Sequence, residues 1–223
     1  METTTDNTIE TAIVKLSKDD LETVYEPAED SFCMLDALQE EVGALKVMKS
    51  FVCLEIGSGS GVVITSLAKK LNKYNQGYYV AIDINPNACR STKATGQNNL
   101  VDINVAQMDL LNNIRSNEFF DVILFNPPYV VTDSEEIIES KLITKTWAGG
   151  KYGREVMEKV FPHIPKLLSK TGRFYLLIIE ENDPKYIIES FRRLDMVGVT
   201  IKEKKIRGEH LYVIRFTKNH ISN

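Results

Sequence analysis

Residues 124–131 read LFNPPYVV: the apolar tail of a strand, Leu124 and Phe125, runs directly into an amide, two prolines and a phenol. Proline fixes its own φ and donates no backbone hydrogen bond, so Pro127 and Pro128 end the strand and stiffen its exit. A rigid exit leaves the side-chain oxygen of Asn126 and the backbone carbonyl of Pro127 as acceptors for N–H groups from elsewhere. The group that suits two adjacent acceptors is a planar –NH2. Each acceptor takes one hydrogen, the nitrogen is aimed, and positive charge developing on it is stabilised. Tyr129 offers a face on which a flat amide could stack; the plainer reading puts its ring in the core beneath the turn.

The stretch EIGSGSG, residues 55–61, joins an earlier strand to its helix, where α/β sheets bind nucleotides outside the carboxyl ends of their strands. Its glycines are Gly57, Gly59 and Gly61. Val62 stands where a dinucleotide fingerprint requires glycine, and no Gly-Lys-Ser/Thr ending follows, so a pyrophosphate or triphosphate cradle is disfavoured. Glu55, just before the glycines, repels phosphate and attracts an ammonium. Asp83 closes the next strand, where a carboxylate accepts from both hydroxyls of a ribose. Asp109 follows a third strand, placed to accept from an exocyclic adenine amine. An ammonium, a ribose, an adenine and no phosphate together describe S-adenosyl-L-methionine. Singly, each acid reads as a cap or a solvated side chain; ending three successive strands, they read as one site.

Such a site needs a scaffold that brings the ends of separate strands together. Strands are expected at 51–56, 77–84, 103–107, 119–125 and 173–180, and helices at 61–71, 86–97, 153–169 (ending near Gly172) and 184–194. Ahead of them, Pro27, the first-turn acids Glu29 and Asp30 and the stripe Phe32, Leu35, Leu38 predict a helix over 27–42 closed by Gly43. Residues 130–150 read as an insertion, and 197–206 with 210–216 as a closing hairpin around RGEH. Strands alternating with helices imply an α/β fold: a mostly parallel sheet covered by helices on both faces, with an antiparallel edge from the C-terminal hairpin. Residues 1–20 are expected to be a flexible arm or loosely docked cover, 21–217 a single domain and 218–223 a tail.

Composition narrows the partners. The 223 residues are 43% hydrophobic, enough for one filled core, and 31 acidic against 27 basic residues give a net charge of −4. That acidic balance argues against duplex nucleic acid as the main partner. Cys33, Cys53 and Cys89 are odd in number and far apart, which suits reduced core residues; His163, His210 and His220 show no ligand spacing with them, so no metal site is expected. The polar N-terminus lacks an apolar leader and no run of 18 apolar residues occurs, so no membrane association is expected and the chain reads as cytosolic, or cytosolic and nuclear.

Taken together, EIGSGSG, DINPNA (83–88), MDL (108–110) and NPPY (126–129) resemble the class I, Rossmann-like methyltransferases of the HemK type, which methylate glutamine in release factors. VYEPAEDSF (24–32) and WAGGKYGREVM (147–157) are similar to the eukaryotic and archaeal branch, which modifies the glutamine of the Gly-Gly-Gln loop of the class-one translation release factor. The resemblance covers residues 20–217 and implies a seven-stranded sheet. It implies cofactor contacts at Tyr25, Ser31, Glu55, Gly57, Gly59, Asp83, Asp109, Leu110 and Asn126, and substrate contacts at Asn126, Pro127, Pro128, Tyr129 and Val130. Asn126, Pro127 and Tyr129 carry catalysis in this reading. Tyr25 could equally be a hydrophobic staple and Ser31 a surface hydroxyl. Trp147, Gly149 and Gly150 look like a substrate-side loop, or the tryptophan a core anchor, and Arg154 a substrate contact or an ion-pair partner. The branch also implies a heterodimer with a small zinc-binding activator subunit, docked by strand pairing at the edge near 103–107; the alternative is an edge covered by the N-terminal arm.

Three other readings share these residues. Adenine-N6 methylation of nucleic acid uses the same NPPY, but no separate base-reading segment is evident. Lysine methylation requires a base to take the ammonium proton, and none is obvious. An inactive methyltransferase-fold scaffold is disfavoured by intact Glu55, Gly57, Asp83, Asp109 and Asn126.

Overall fold

The apolar runs at 120–125 and 174–179 are buried along nearly their whole length and form the middle of a single sheet. The computed structural model describes residues 7–219 apart from 49, 116, 140–142 and 144–145. After a one-turn helix α1 (Lys18–Leu21), capped reciprocally by Ser17 and Asp20, α2 (Glu29–Leu45) opens with Glu29 and Asp30 at its positive end and buries Met34, Leu38, Val42 and Leu45. There follow β1 (Ser50–Ile56), α3 (Val62–Leu71), β2 (Gln76–Asp83), α4 (Pro86–Asn98), β3 (Asn104–Gln107), β4 (Phe120–Phe125), α5 (Ser134–Glu139), α6 (Ile164–Leu167), β5 (Leu168–Ile179), α7 (Pro184–Arg192), β6 (Met196–Ile206) and β7 (Glu209–Lys218).

The sheet has seven strands in the order β3-β2-β1-β4-β5-β7-β6. β1 pairs in parallel with β2 and β4, and β4 with β5; β7 is antiparallel to both β5 and β6. The seven-stranded, mostly parallel α/β sheet expected from sequence is therefore present. The reversed strand of the hairpin is inserted between β5 and β6 rather than lying at the edge. α3 packs against both α2 and α4, and α7 packs on β6. Phe174, Phe191 and Phe216 interlock beneath α7, with the last two rings 4.0 Å apart. The strand order reverses between β1 and β4, which opens a crevice beyond their carboxyl ends.

One expected element is absent. The helix expected over 153–169 is instead a chain of 3-10 turns, Lys151–Gly153, Met157–Lys159 and Phe161–His163, followed by short α6. Pro162 and Pro165 each remove a backbone donor, so no continuous i to i−4 ladder can form there. Gly172, expected at a helix end, lies inside β5.

The expected arm is laid down along the helices from residue 7 onward. Ile9 and Ala12 are buried; the backbone N–H of Ile9 donates to Gln39, that of Ala12 to Ser66, and Ile13 exchanges two hydrogen bonds with the Asn99 side chain. The segment thus crosses α2, α3 and the end of α4 and does not run along β3. At the other terminus, Lys218 still belongs to β7 and pairs with Glu118, while 1–6 and 220–223 lie outside the described residues.

Candidate active site

Four strand ends meet at a cavity of about 380 Å³. β1 delivers Glu55 and the glycine loop, β2 Asp83, the segment after β3 Met108, Asp109 and Leu110, and β4 Asn126, Pro127 and Pro128; Tyr25, Asp30 and Ser31 line it from the start of α2. Most of the residues expected from sequence are therefore brought together.

The glycine loop is bent by backbone conformations that side chains resist. Gly57, Gly59 and Gly61 have φ of +67°, +53° and +77°. A Cβ on Gly61 would sit 2.7 Å from the Cα of Thr92, so glycine there also sets how closely α3 approaches α4. α4 holds the loop from outside: the Thr92 hydroxyl donates to the Gly59 carbonyl (3.2 Å) and the Thr95 hydroxyl to the Ser60 carbonyl (2.8 Å). Sequence reasoning missed both threonines; their three-residue spacing on one helix face is the only signal they leave.

Asp83 ties the loop from inside. Its carboxylate accepts from the backbone N–H groups of Gly59 (2.9 Å) and Asn85 (2.8 Å). The Ile84 N–H also bears on this carboxylate, which has acceptor sites for more than these three donors. Burial pushes the Asp83 carboxyl up, against the pull of those N–H groups. Glu55 is 4% exposed and accepts from Ile64 N–H at 3.3 Å. Burial outweighs that bond and raises the Glu55 carboxyl to about 8, with Asp83 adding to the rise. A buried carboxylate held by one long hydrogen bond is suited to a cationic partner. Asp109 is exposed at the rim, and Leu110 takes a left-handed conformation (φ +46°) to turn the chain back toward the cavity.

At the end of β4, Asn126 donates through Nδ2 to Asp30 Oδ2 at 3.0 Å. Its Oδ1 is buried and, among the described residues, has no hydrogen-bond partner. A buried acceptor left unpaired is costly unless something else supplies the donor. The amide is thus half engaged within the chain, and its oxygen is left without a donor among the described residues.

Tyr129 and Val130 are placed otherwise. Tyr129 is 8% exposed, belongs to the core and does not line the cavity. Its phenol lies against Asp30 and Glu209, and burial together with these carboxylates pushes its pKa far above the usual range. The plainer of the two readings of this ring is the one realised. Val130 pairs with the 147–150 segment: its N–H donates to Trp147 and its carbonyl accepts from Gly149. Trp147, at 38% exposed, and Gly149 and Gly150 lie behind this pairing and do not line the cavity; Thr146, Ala148, Val156 and Lys159 do. Arg154 is an ion-pair partner of Glu158 at 3.2 Å, held between the rings of Tyr152 and Tyr186. Buried Asn182 clamps the turn to this loop, donating to the carbonyls of Tyr129 (2.8 Å) and Tyr152 (3.0 Å).

Residues 33–204 match the Methyltransferase small domain family. The chain belongs to the small-domain methyltransferases. Across that family's fold it is 43% identical to human methyltransferase HEMK2 over 198 residues, 88% of this chain and 90% of that protein. It is 35% identical to the eRF1 methyltransferase catalytic subunit mtq2 of Schizosaccharomyces pombe, over 86% of this chain and 88% of that one. Among solved structures, the E. cuniculi Mtq2–Trm112 complex responsible for methylating the eRF1 translation termination factor superposes with a TM-score of 0.64 and 31% identity, over 87% of this chain and 98% of the other. The small-domain methyltransferase described here is therefore an enzyme of class I fold.

Proposed function

We propose that the chain transfers a methyl group from S-adenosyl-L-methionine to the side-chain amide nitrogen of the glutamine in the Gly-Gly-Gln motif of a class-one translation release factor. The observation that carries this is Asn126, whose Oδ1 is buried and without a partner among the described residues, in the wall of a cavity whose other walls bear Glu55, Asp83 and Asp109 at or just beyond the ends of strands. The donor set fits the cofactor: Glu55 for the ammonium, Asp83 for the ribose hydroxyls, Asp109 with Leu110 and Met108 for the adenine. S-adenosyl-L-methionine, when bound, supplies a methyl carbon made electrophilic by its sulfonium. The chain's own part is positioning. Asn126 Oδ1 and the Pro127 carbonyl take the two amide hydrogens, and the proline-locked turn loses little freedom in doing so. As the nitrogen gains charge these acceptors strengthen, which is transition-state rather than ground-state stabilisation. The Schizosaccharomyces pombe relative, named as an eRF1 methyltransferase subunit, and the eRF1-directed complex support the release factor as substrate.

The Mtq2–Trm112 complex supports a small activator subunit as partner; in this reading that subunit is zinc-binding, and β3 is the strand that would receive it. β3 is an edge strand, Ala106 and Gln107 are exposed, and Leu100 stands 96% exposed beside it. A cytosolic, or cytosolic and nuclear, enzyme is consistent with a translation factor as substrate.

The test is peptide mass spectrometry of the release-factor domain after incubation with the chain, the activator subunit and cofactor. The expected outcome is one added CH2 on the glutamine of Gly-Gly-Gln, lost with Asn126→Ala. Methylation confined to lysine side chains or to adenine, or none at all with the complete complex, removes this reading.

A further inference from the structure

Asp30 stands in the first turn of α2, buried and faced by donors. Its Oδ1 accepts from the Ser31 N–H at 2.6 Å, and its Oδ2 from Asn126 Nδ2 at 3.0 Å and from the Tyr129 phenol at 3.5 Å. A primary amide carries an oxygen on one arm and an NH2 on the other, and a half-turn exchanges them within the same volume. Only one of the two orientations serves an –NH2 substrate. Turned round, Asn126 would meet the incoming hydrogens with hydrogens of its own. Nothing in the shape of asparagine makes that choice. A carboxylate, however, has acceptors alone. It can hold the NH2 arm and not the oxygen arm, and the oxygen arm is the one left without a partner.

We propose that Asp30 is a positioning residue that fixes the Asn126 amide in its acceptor orientation and so makes the site selective for a neutral nitrogen bearing two hydrogens. This rests on the glutamine-amide reading above. The same bond polarises the amide: a carboxylate behind the NH2 arm shifts electron density toward Oδ1 and makes it a better acceptor as the substrate nitrogen becomes positive. Asp30 lines the cavity as well, and in this role it acts on the reacting group through Asn126. The Tyr129 phenol, a second donor to Asp30 Oδ2, keeps that carboxylate in place from beneath.

The discriminating variant is Asp30→Asn, which keeps the shape but offers both donors and acceptors, so that Asn126 is free to turn. In complex with the activator subunit, kcat on the release-factor domain is expected to fall roughly ten- to hundredfold. KM for that domain and Kd for S-adenosylhomocysteine stay unchanged, and the Asn126 side-chain NH2 resonances shift in a spectrum of 15N-asparagine-labelled protein. Wild-type kcat overturns the proposal, and so does a loss of cofactor affinity that accounts for the loss of rate, since Asp30 would then be a cofactor ligand. If the wild-type complex does not methylate glutamine, the functional reading fails by itself; the Asn126 resonances still judge Asp30, and an unshifted NH2 in Asp30→Asn overturns its role. Should the variant not fold, the wild-type resonances answer the same question: an NH2 shifted downfield and protected from exchange supports the bond, and an averaged, unprotected one overturns it.

Discussion

Glu55 is the residue whose chemistry is most exposed to test, because a carboxyl raised to about 8 titrates within the working range. In the free protein it is increasingly protonated as pH falls below 8, and only its charged form attracts an ammonium. S-adenosylhomocysteine, which carries the same ammonium, is therefore expected to bind more weakly as pH falls from 8 to 6, approaching about tenfold per unit at the lower end. Calorimetric titration checks this, and Glu55→Gln should bind weakly at every pH with the slope abolished. The sign for stability is opposite. The folded-state value lies above the ordinary 4.5, so the group's contribution is fully present below pH 4.5 and is lost as pH rises through 8. Ligand-free Glu55→Gln should accordingly gain in Tm relative to the parent between pH 5 and 8. An equal Tm difference at both ends would show that Glu55 ionises in the fold as it does in the unfolded chain. The acids were legible in the sequence because each ends a strand, so its position relative to the sheet follows from the strand itself. Asp30 was legible only as a helix-opening acid. Its partner Asn126 lies 96 residues away, and no local pattern connects the two.

At the scale of elements, the cofactor loop depends on a contact between two helices that the sequence pattern does not reveal. Gly61 takes φ +77° with the Thr92 backbone 2.7 Å from where a Cβ would stand. Gly61→Ala must therefore both strain the backbone and push α4 away, which loosens the Thr92 and Thr95 bonds to the loop. The backbone component alone costs about 1–3 kcal/mol. Denaturant titration should show at least that loss, with S-adenosylhomocysteine affinity reduced as well. Stability and affinity both equal to the parent would mean that the loop is not held from α4. The contrast with the 153–169 segment is instructive. Its apolar spacing suggested a helix, yet Pro162 and Pro165 break it into 3-10 turns, a local rule that outweighed the periodicity. The same irregular segment supplies Val156 and Lys159 to the cavity, and Asn182 ties its neighbour Tyr152 to the carbonyl of Tyr129. Strand ends were readable because alternation of strands and helices fixes where they go. The loop that faces them was not, because its shape is set by contacts with Tyr129 and Asn182 rather than by its own sequence.

For the whole molecule, the two ends of the sheet differ in a way that decides which of them is open to a partner. β6 closes one edge with Lys202, Lys204 and Lys205, and the first two are paired with Glu40 and Glu29 of α2. Lysines along an edge strand discourage pairing with another chain. β3, at the opposite edge, reads Asn-Val-Ala-Gln with no charge in the strand, and the described part of the arm, around Ile9 to Ile13, is engaged with the helices instead. A charge on the exposed side of β3 should therefore act as the lysines of β6 do. Ala106→Lys is expected to weaken co-purification of the activator subunit, while the chain's own stability changes by no more than about 0.5 kcal/mol, as for other surface substitutions. Val199→Lys, on exposed β6, serves as the control and should leave the complex intact. Size-exclusion chromatography of the co-expressed pair reads both outcomes. An intact complex with Ala106→Lys, or equal loss from the two edges, would place the partner elsewhere on the molecule.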